Sequence, residues 1–69
     1  MKTLITIEMD NAAFHADNDS DENRADGGEL AAVLGRLACG LKGTAVELGE
    51  TFSAHDTNGN LVAHMEVVE

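Results

Sequence analysis

The chain has 69 residues, one cysteine and a formal charge of −9, from thirteen acidic against four basic side chains. A domain near this size buries only about 60% of the surface its unfolded chain exposes, which leaves a thin core and little room for a deep catalytic pocket. A single cysteine excludes the internal disulfide that small secreted domains usually need, and the acidity excludes binding to nucleic acid through cation–phosphate contacts and disfavours anionic membranes.

These totals predict one domain over residues 1–69, in a reducing cytoplasm, with a basic protein surface as its natural partner, reached by electrostatic steering. The competing reading is that acidity only keeps a small protein soluble. The apolar run Leu4 to Met9 is interrupted by Thr6 and Glu8, and is too short for a signal-peptide core or a membrane span.

Residues 2–9 read as a strand, with Thr3, Ile5, Ile7 and Met9 alternating with Lys2, Leu4, Thr6 and Glu8. Residues 10–28 leave the strand and become a polar, acidic loop, whose beginning Phe14 is expected to pin to the core. A helix follows. Asp26 and Glu29 have the spacing of a capping box, with Glu29 reaching back to the cap. Leu30, Val33, Leu34, Leu37 and Leu41 form one apolar stripe, Gly40 is placed for a left-handed C-cap, and Gly43 gives a second stop.

The last third reads as a hairpin of residues 45–55 and 61–68 around Asp56-Thr57-Asn58-Gly59-Asn60, with Asn-Gly suited to a tight primed turn. Gly49 predicts a bulge or bend that turns Glu50 outward, while Val46, Leu48 and Phe52 face in. The fold class is therefore α+β, in the order β-α-β-β: a three-stranded antiparallel sheet, last strand central, with one helix packed on one face.

Few motifs carry chemistry. Asp17-x-Asp19-x-Asp21 starts like a calcium loop, but Glu22 stands where glycine is needed and Gly28 where the bidentate carboxylate belongs. Asp56-x-Asn58-Gly59-Asn60 also starts well and fails at Leu61 and Val67. His55 and His64 flank the hairpin and can approach across it, but with His15 and Cys39 scattered they make no tetrahedral set. Cys39 lies near the C-terminal end of the helix, where the dipole raises a thiol pKa. No phosphate loop and no enclosed carboxylate pair is present, so the chain is not expected to be an enzyme, and no cofactor or metal is expected.

The arrangement of the acids remains. Eight of the thirteen lie between Glu8 and Glu29, against Arg24 alone. Glu8 and Asp10 on an extended segment share a face roughly 6–7 Å apart, and Asp17, Asp19 and Asp21 repeat that step if extended. Duplex DNA carries one charge per ~1.7 Å of axis over two strands, so one edge of carboxylates imitates a stretch of phosphates and accepts bidentate bonds from Arg as phosphates do. A nucleic-acid decoy and an ordinary solvated acidic face both fit this charge pattern.

The segments Ile7-Glu8-Met9-Asp10-Asn11-Ala12-Ala13-Phe14, Gly28-Glu29-Leu30-Ala31-Ala32-Val33-Leu34 and Asp56-Thr57-Asn58-Gly59-Asn60-Leu61-Val62 together resemble a family of very small phage and prophage proteins. The similarity covers most of the chain, and its motifs are turns and caps. Within that neighbourhood, size and acidity resemble the anti-CRISPR inhibitors of the type I-C Cascade. The resemblance implies a stoichiometric DNA mimic that blocks target DNA binding by occupying the Cascade subunit that reads the PAM.

On this reading the partner is the basic DNA-binding surface of a host CRISPR Cascade subunit, met by a monomer in the cytoplasm of the infected bacterial host, with no direct contact to nucleic acid and no membrane. The partner-binding carboxylates are Glu8, Asp10, Asp17, Asp19, Asp21, Glu22 and Asp26, with Glu47, Glu50 and Asp56 as a second patch. No residue is assigned as catalytic. The alternatives are an acidic protein–protein interaction module with a non-CRISPR partner and a calcium-dependent binding domain.

Overall fold

A computed structural model describes residues 1–15 and 24–69. Strand β1 spans Lys2–Ile7, a 3₁₀ turn Ala12–Phe14, helix α1 Gly27–Leu41, strand β2 Thr51–His55 and strand β3 Leu61–Val68. The three strands form one antiparallel sheet in the order β1-β3-β2, with α1 packed on it: the expected α+β architecture with the last strand central. The sequence of β3 explains its place. Val62, Ala63, Met65 and Val67 are all buried, a pattern suited to a strand flanked on both sides. The residues of β1 are exposed from Lys2 to Thr6.

The register sets the faces. Ile5 lies opposite Met65, which lies opposite Phe52, and Ile7, Ala63 and Ala54 form the next such row. This face meets Val33 and Leu37 of α1 and Phe14 of the 3₁₀ turn in a single core, with Ile7, Leu30, Leu41, Val46 and Phe52 packed at its margin. Phe14 is fully buried, as expected of the residue that pins the strand exit, and a buried phenyl ring stabilises by about 1.5–3 kcal/mol.

The helix follows its stripe with two corrections. Leu34 is 41% exposed, because α1 leans over β2 and leaves that flank open. The helix also runs through Gly40 and ends at Leu41, with Lys42 as C-cap and Gly43 as the left-handed residue at φ +75°. At the other end Asp26 is the N-cap, accepting from the Gly28 N–H at 2.8 Å. Glu29 does not reach back to complete a capping box. The Asp26 N–H donates instead to the Phe14 carbonyl at 2.7 Å, and Glu29 is turned to the hairpin.

The first hairpin strand is shorter than its apolar content predicts. Glu47 to Glu50 form a turn, closed by the Glu50 N–H on the Glu47 carbonyl at 3.1 Å, with Gly49 at φ +91°. Leu48, expected to face in, sits on this turn and is 51% exposed. Beyond it Gly49 and Glu50 both bond Val67, the irregularity expected near Gly49. The 56–60 connection is not the expected two-residue primed turn, which needs two residues at positive φ. Only Gly59 has one, at +87°, and a turn from Asp56 to Gly59 sits inside a five-residue loop. The side chain of Asp56 dictates this longer geometry.

Candidate interaction surface

The acidic residues divide by what their oxygens already hold. Asp56 is buried, and both oxygens are used. Oδ1 accepts from the N–H groups of Asn58 and Asn60, each at 2.9 Å, while Oδ2 accepts from Asn60 Nδ2 at 3.2 Å and Asn11 Nδ2 at 3.3 Å. Burial pushes this carboxyl up, but the hydrogen bonds from Asn60, Asn11 and Asn58 outweigh it and hold the pKa below the ordinary value. Its expected place in a partner-binding patch is therefore corrected: Asp56 is spent on shaping the hairpin loop and on tying Asn11 to it.

Glu29 is the second such group. Oε2 accepts the Thr57 N–H at 2.9 Å, Oε1 accepts the Thr57 hydroxyl, and Arg36 Nη1 lies 3.6 Å from Oε2. The two Thr57 bonds, with a smaller attraction from Arg36, overcome desolvation and lower the Glu29 pKa. Arg36 also donates to the His55 carbonyl at 3.0 Å and to the Thr57 hydroxyl at 3.4 Å. One face of α1 is thus clamped to the loop after β2. Sequence reasoning missed this network. Its one signal was Glu29 beside Arg36 at i, i+7, two turns apart on one side of the helix, which also fits a solvated pair.

Glu8, Asp10 and Glu47 are exposed, and no hydrogen bond or ion pair among the described residues engages their carboxylates. Asp26 is exposed and uses one oxygen as the helix cap. Glu50 is half-buried and accepts the Glu47 N–H at 2.7 Å. Asp17, Asp19, Asp21 and Glu22, with the calcium-like spacing they carry, lie outside the described residues.

The topology sorts these groups into two ends. Glu8 and Asp10 follow β1 and line a shallow hollow with Met9, His15 and Arg24. The Asn11–Asp56 bond puts them at the end of the sheet that carries the hairpin loop, and the Asp26–Phe14 bond brings the start of α1 there too. Glu47 and Glu50 precede β2, while Asp56 follows it, so they stand about 20 Å apart at ~3.3 Å per residue. The expected second patch is therefore two separate places. Lys2 and Lys42 lie at the end opposite the hairpin loop, at the start of β1 and just past α1.

Other chemistry finds little support in the geometry. Thr6, His64 and Ser53 form one row across the sheet, but no hydrogen bond joins them among the described residues. His55 pairs with Leu61 and His64 with Ser53, so the two hairpin histidines, which the sequence allows to approach, are not direct cross-strand partners. His15 Nε2 lies 2.7 Å from the Met9 carbonyl and closes the strand exit. Among the described residues no group of three His, Cys, Asp or Glu side chains is placed to hold a metal ion, and no helix is long and apolar enough to cross a membrane. Comparison of the chain with known protein families, curated proteins and solved structures gives no match.

Proposed function

We propose that the chain is a stoichiometric DNA mimic that blocks target DNA binding by a type I CRISPR surveillance complex, and that it has no catalytic activity. The observation that carries this reading is the exposed acidic end of the fold. Glu8 and Asp10 line one hollow, Asp26 follows Arg24 and Ala25 of its rim, and the chain carries a net charge of −9; Asp17, Asp19, Asp21 and Glu22 are added to the proposed set from the sequence. Arg24 lines the same hollow, and Arg36 is already held by Glu29.

Carboxylates offered from a folded scaffold capture Lys and Arg of a DNA site with little ordering cost, and the excess charge speeds encounter. The particular target rests on the resemblance of the strand exit, helix and hairpin loop to very small phage and prophage proteins, and of the chain's size and acidity to the anti-CRISPR inhibitors among them. Glu47 and Glu50 stand at the other end of β2 and form the second patch of this reading.

The test is a gel shift of purified type I-C Cascade on target duplex, with and without the protein, at two salt concentrations. Loss of the shifted band, weaker at high salt, is expected. Reversal of Asp10, Asp17 and Asp19 to Lys is expected to restore the band with helicity unchanged. A band that persists with the wild-type protein removes this reading and leaves the acidic interaction module for a non-CRISPR partner.

A further inference from the structure

We infer that β1 is a self-complementary edge through which two copies of this chain pair, joining their sheets across a two-fold axis at Ile5. The inference goes beyond the proposed inhibition and replaces the expectation of a monomer.

β1 is an outer strand of the sheet. The Glu8 N–H donates to Val62 at 2.9 Å, and in an antiparallel pair such groups alternate along the strand. Lys2, Leu4, Thr6 and Glu8 therefore turn their backbone groups toward β3. Thr3, Ile5 and Ile7 turn theirs away from the sheet, and among the described residues nothing bonds them. An exposed row of this kind is a template for another strand. No proline, bulge or positive-φ residue interrupts β1.

The sequence of β1 says which strand fits. Laid antiparallel on itself about Ile5, the strand sets Ile5 against Ile5 and Thr3 against Ile7, so every outward N–H and C=O finds a partner. The same register sets Lys2 against Glu8 twice, once on each side of the axis, and Leu4 against Thr6. Opposite charges directly across a strand pair are favourable, and like charges there are not. Moving the axis to Leu4 sets Lys2 against Thr6. Moving it to Thr6 sets Lys2 against Asp10 but carries the pairing three residues past the strand and leaves Glu8 against Leu4. The Ile5 register is the one that sets Lys2 against Glu8, the residue just past the strand whose N–H still bonds Val62.

The side chains favour the same arrangement. Ile5 is 48% exposed on the face that α1 covers, because the helix leans to β2. Leu34 lies roughly 200° round the helix from Arg36 at 100° per residue, so it borders the open flank on the β1 side. Pairing covers Ile5 with its own copy and narrows the gap beside Leu34. A six-residue seam is smaller than a standard interface of about 1,200–2,000 Å², so the dimer is weak and concentration-dependent. Repulsion between two chains of charge −9 is screened beyond about 8 Å at physiological salt, and pairing is expected there before it is seen in dilute buffer.

The experiment is sedimentation equilibrium of the full chain without any partner, from micromolar to millimolar concentration at physiological salt. The mass is expected to rise from 7.3 kDa toward twice that value. Lys2→Glu and Glu8→Lys are each expected to hold the chain monomeric, and the double exchange to restore the dimer. Ile5→Lys sets like charges together at the axis and is expected to abolish pairing, with helicity unchanged. A mass of 7.3 kDa at every concentration overturns the inference, as does a dimer indifferent to all three single changes. Because no Cascade is present, the result stands apart from the gel shift.

Discussion

The two edges of this sheet are finished in opposite ways. β2 is short, follows the Glu47–Glu50 turn, and lies under α1, which sends Arg36 to the His55 carbonyl and Glu29 to Thr57. β1 has no such cover: Leu4 and Ile5 are about half exposed and its outer backbone groups are unengaged among the described residues. A helix of one apolar stripe can roof only part of a three-stranded sheet. The clamp on the hairpin decides which part, and the uncovered remainder becomes the surface open to a second strand.

Truncation tests this asymmetry most strongly. Leu37→Ala opens a cavity under the helix where it covers β2, and is expected to cost about 2–5 kcal/mol in urea unfolding. Ile5→Ala on the bare edge is expected to cost less than about 1 kcal/mol in dilute solution. Equal losses would mean that the helix roofs both edges alike.

A smaller effect is expected at the hairpin loop. Gly59 sits at φ +87° with open space where a Cβ would go, so Gly59→Ala is opposed by backbone conformation alone, by about 1–2 kcal/mol. A neutral result in thermal unfolding would show that the loop has another geometry to adopt.

Acid sharpens the comparison further. Glu29 and Asp56 both belong to the β2 side, and both are held below their ordinary pKa values of 4.5 and 3.8. A depressed folded-state pKa contributes stability above the unfolded value and loses it as pH falls through the folded value. Thermal stability is therefore expected to hold at neutral pH and to fall below about pH 4.5, with amide exchange quickening first around Thr57, Asn58 and Asn60. Glu29→Gln is expected to flatten this acid limb, and an unaltered limb would remove Glu29 from its cause.

Sequence alone determined the elements and their order. The period-two run of β1, the i, i+3, i+4 stripe of α1 and the apolar content of β3 are local properties, and chain connectivity then allowed few sheets. Asp26 as cap was legible because it acts within its own segment, and Phe14 as anchor because it is the one aromatic residue at the strand exit, although its partners come from α1 and the sheet. Tertiary structure decided which carboxylates remain available. Glu29 looks in sequence like any other acid, and only Thr57, 28 residues away, removes it from the surface, while Asp56 is held mostly by Asn58 and Asn60 of its own loop, with Asn11 added from 45 residues away. It also decided that Leu34 and Leu48 stay outside and that Glu50 and Asp56 stand at opposite ends of β2. A residue's spacing fixes its direction on its own element, but burial and hydrogen bonding depend on what another element brings to it.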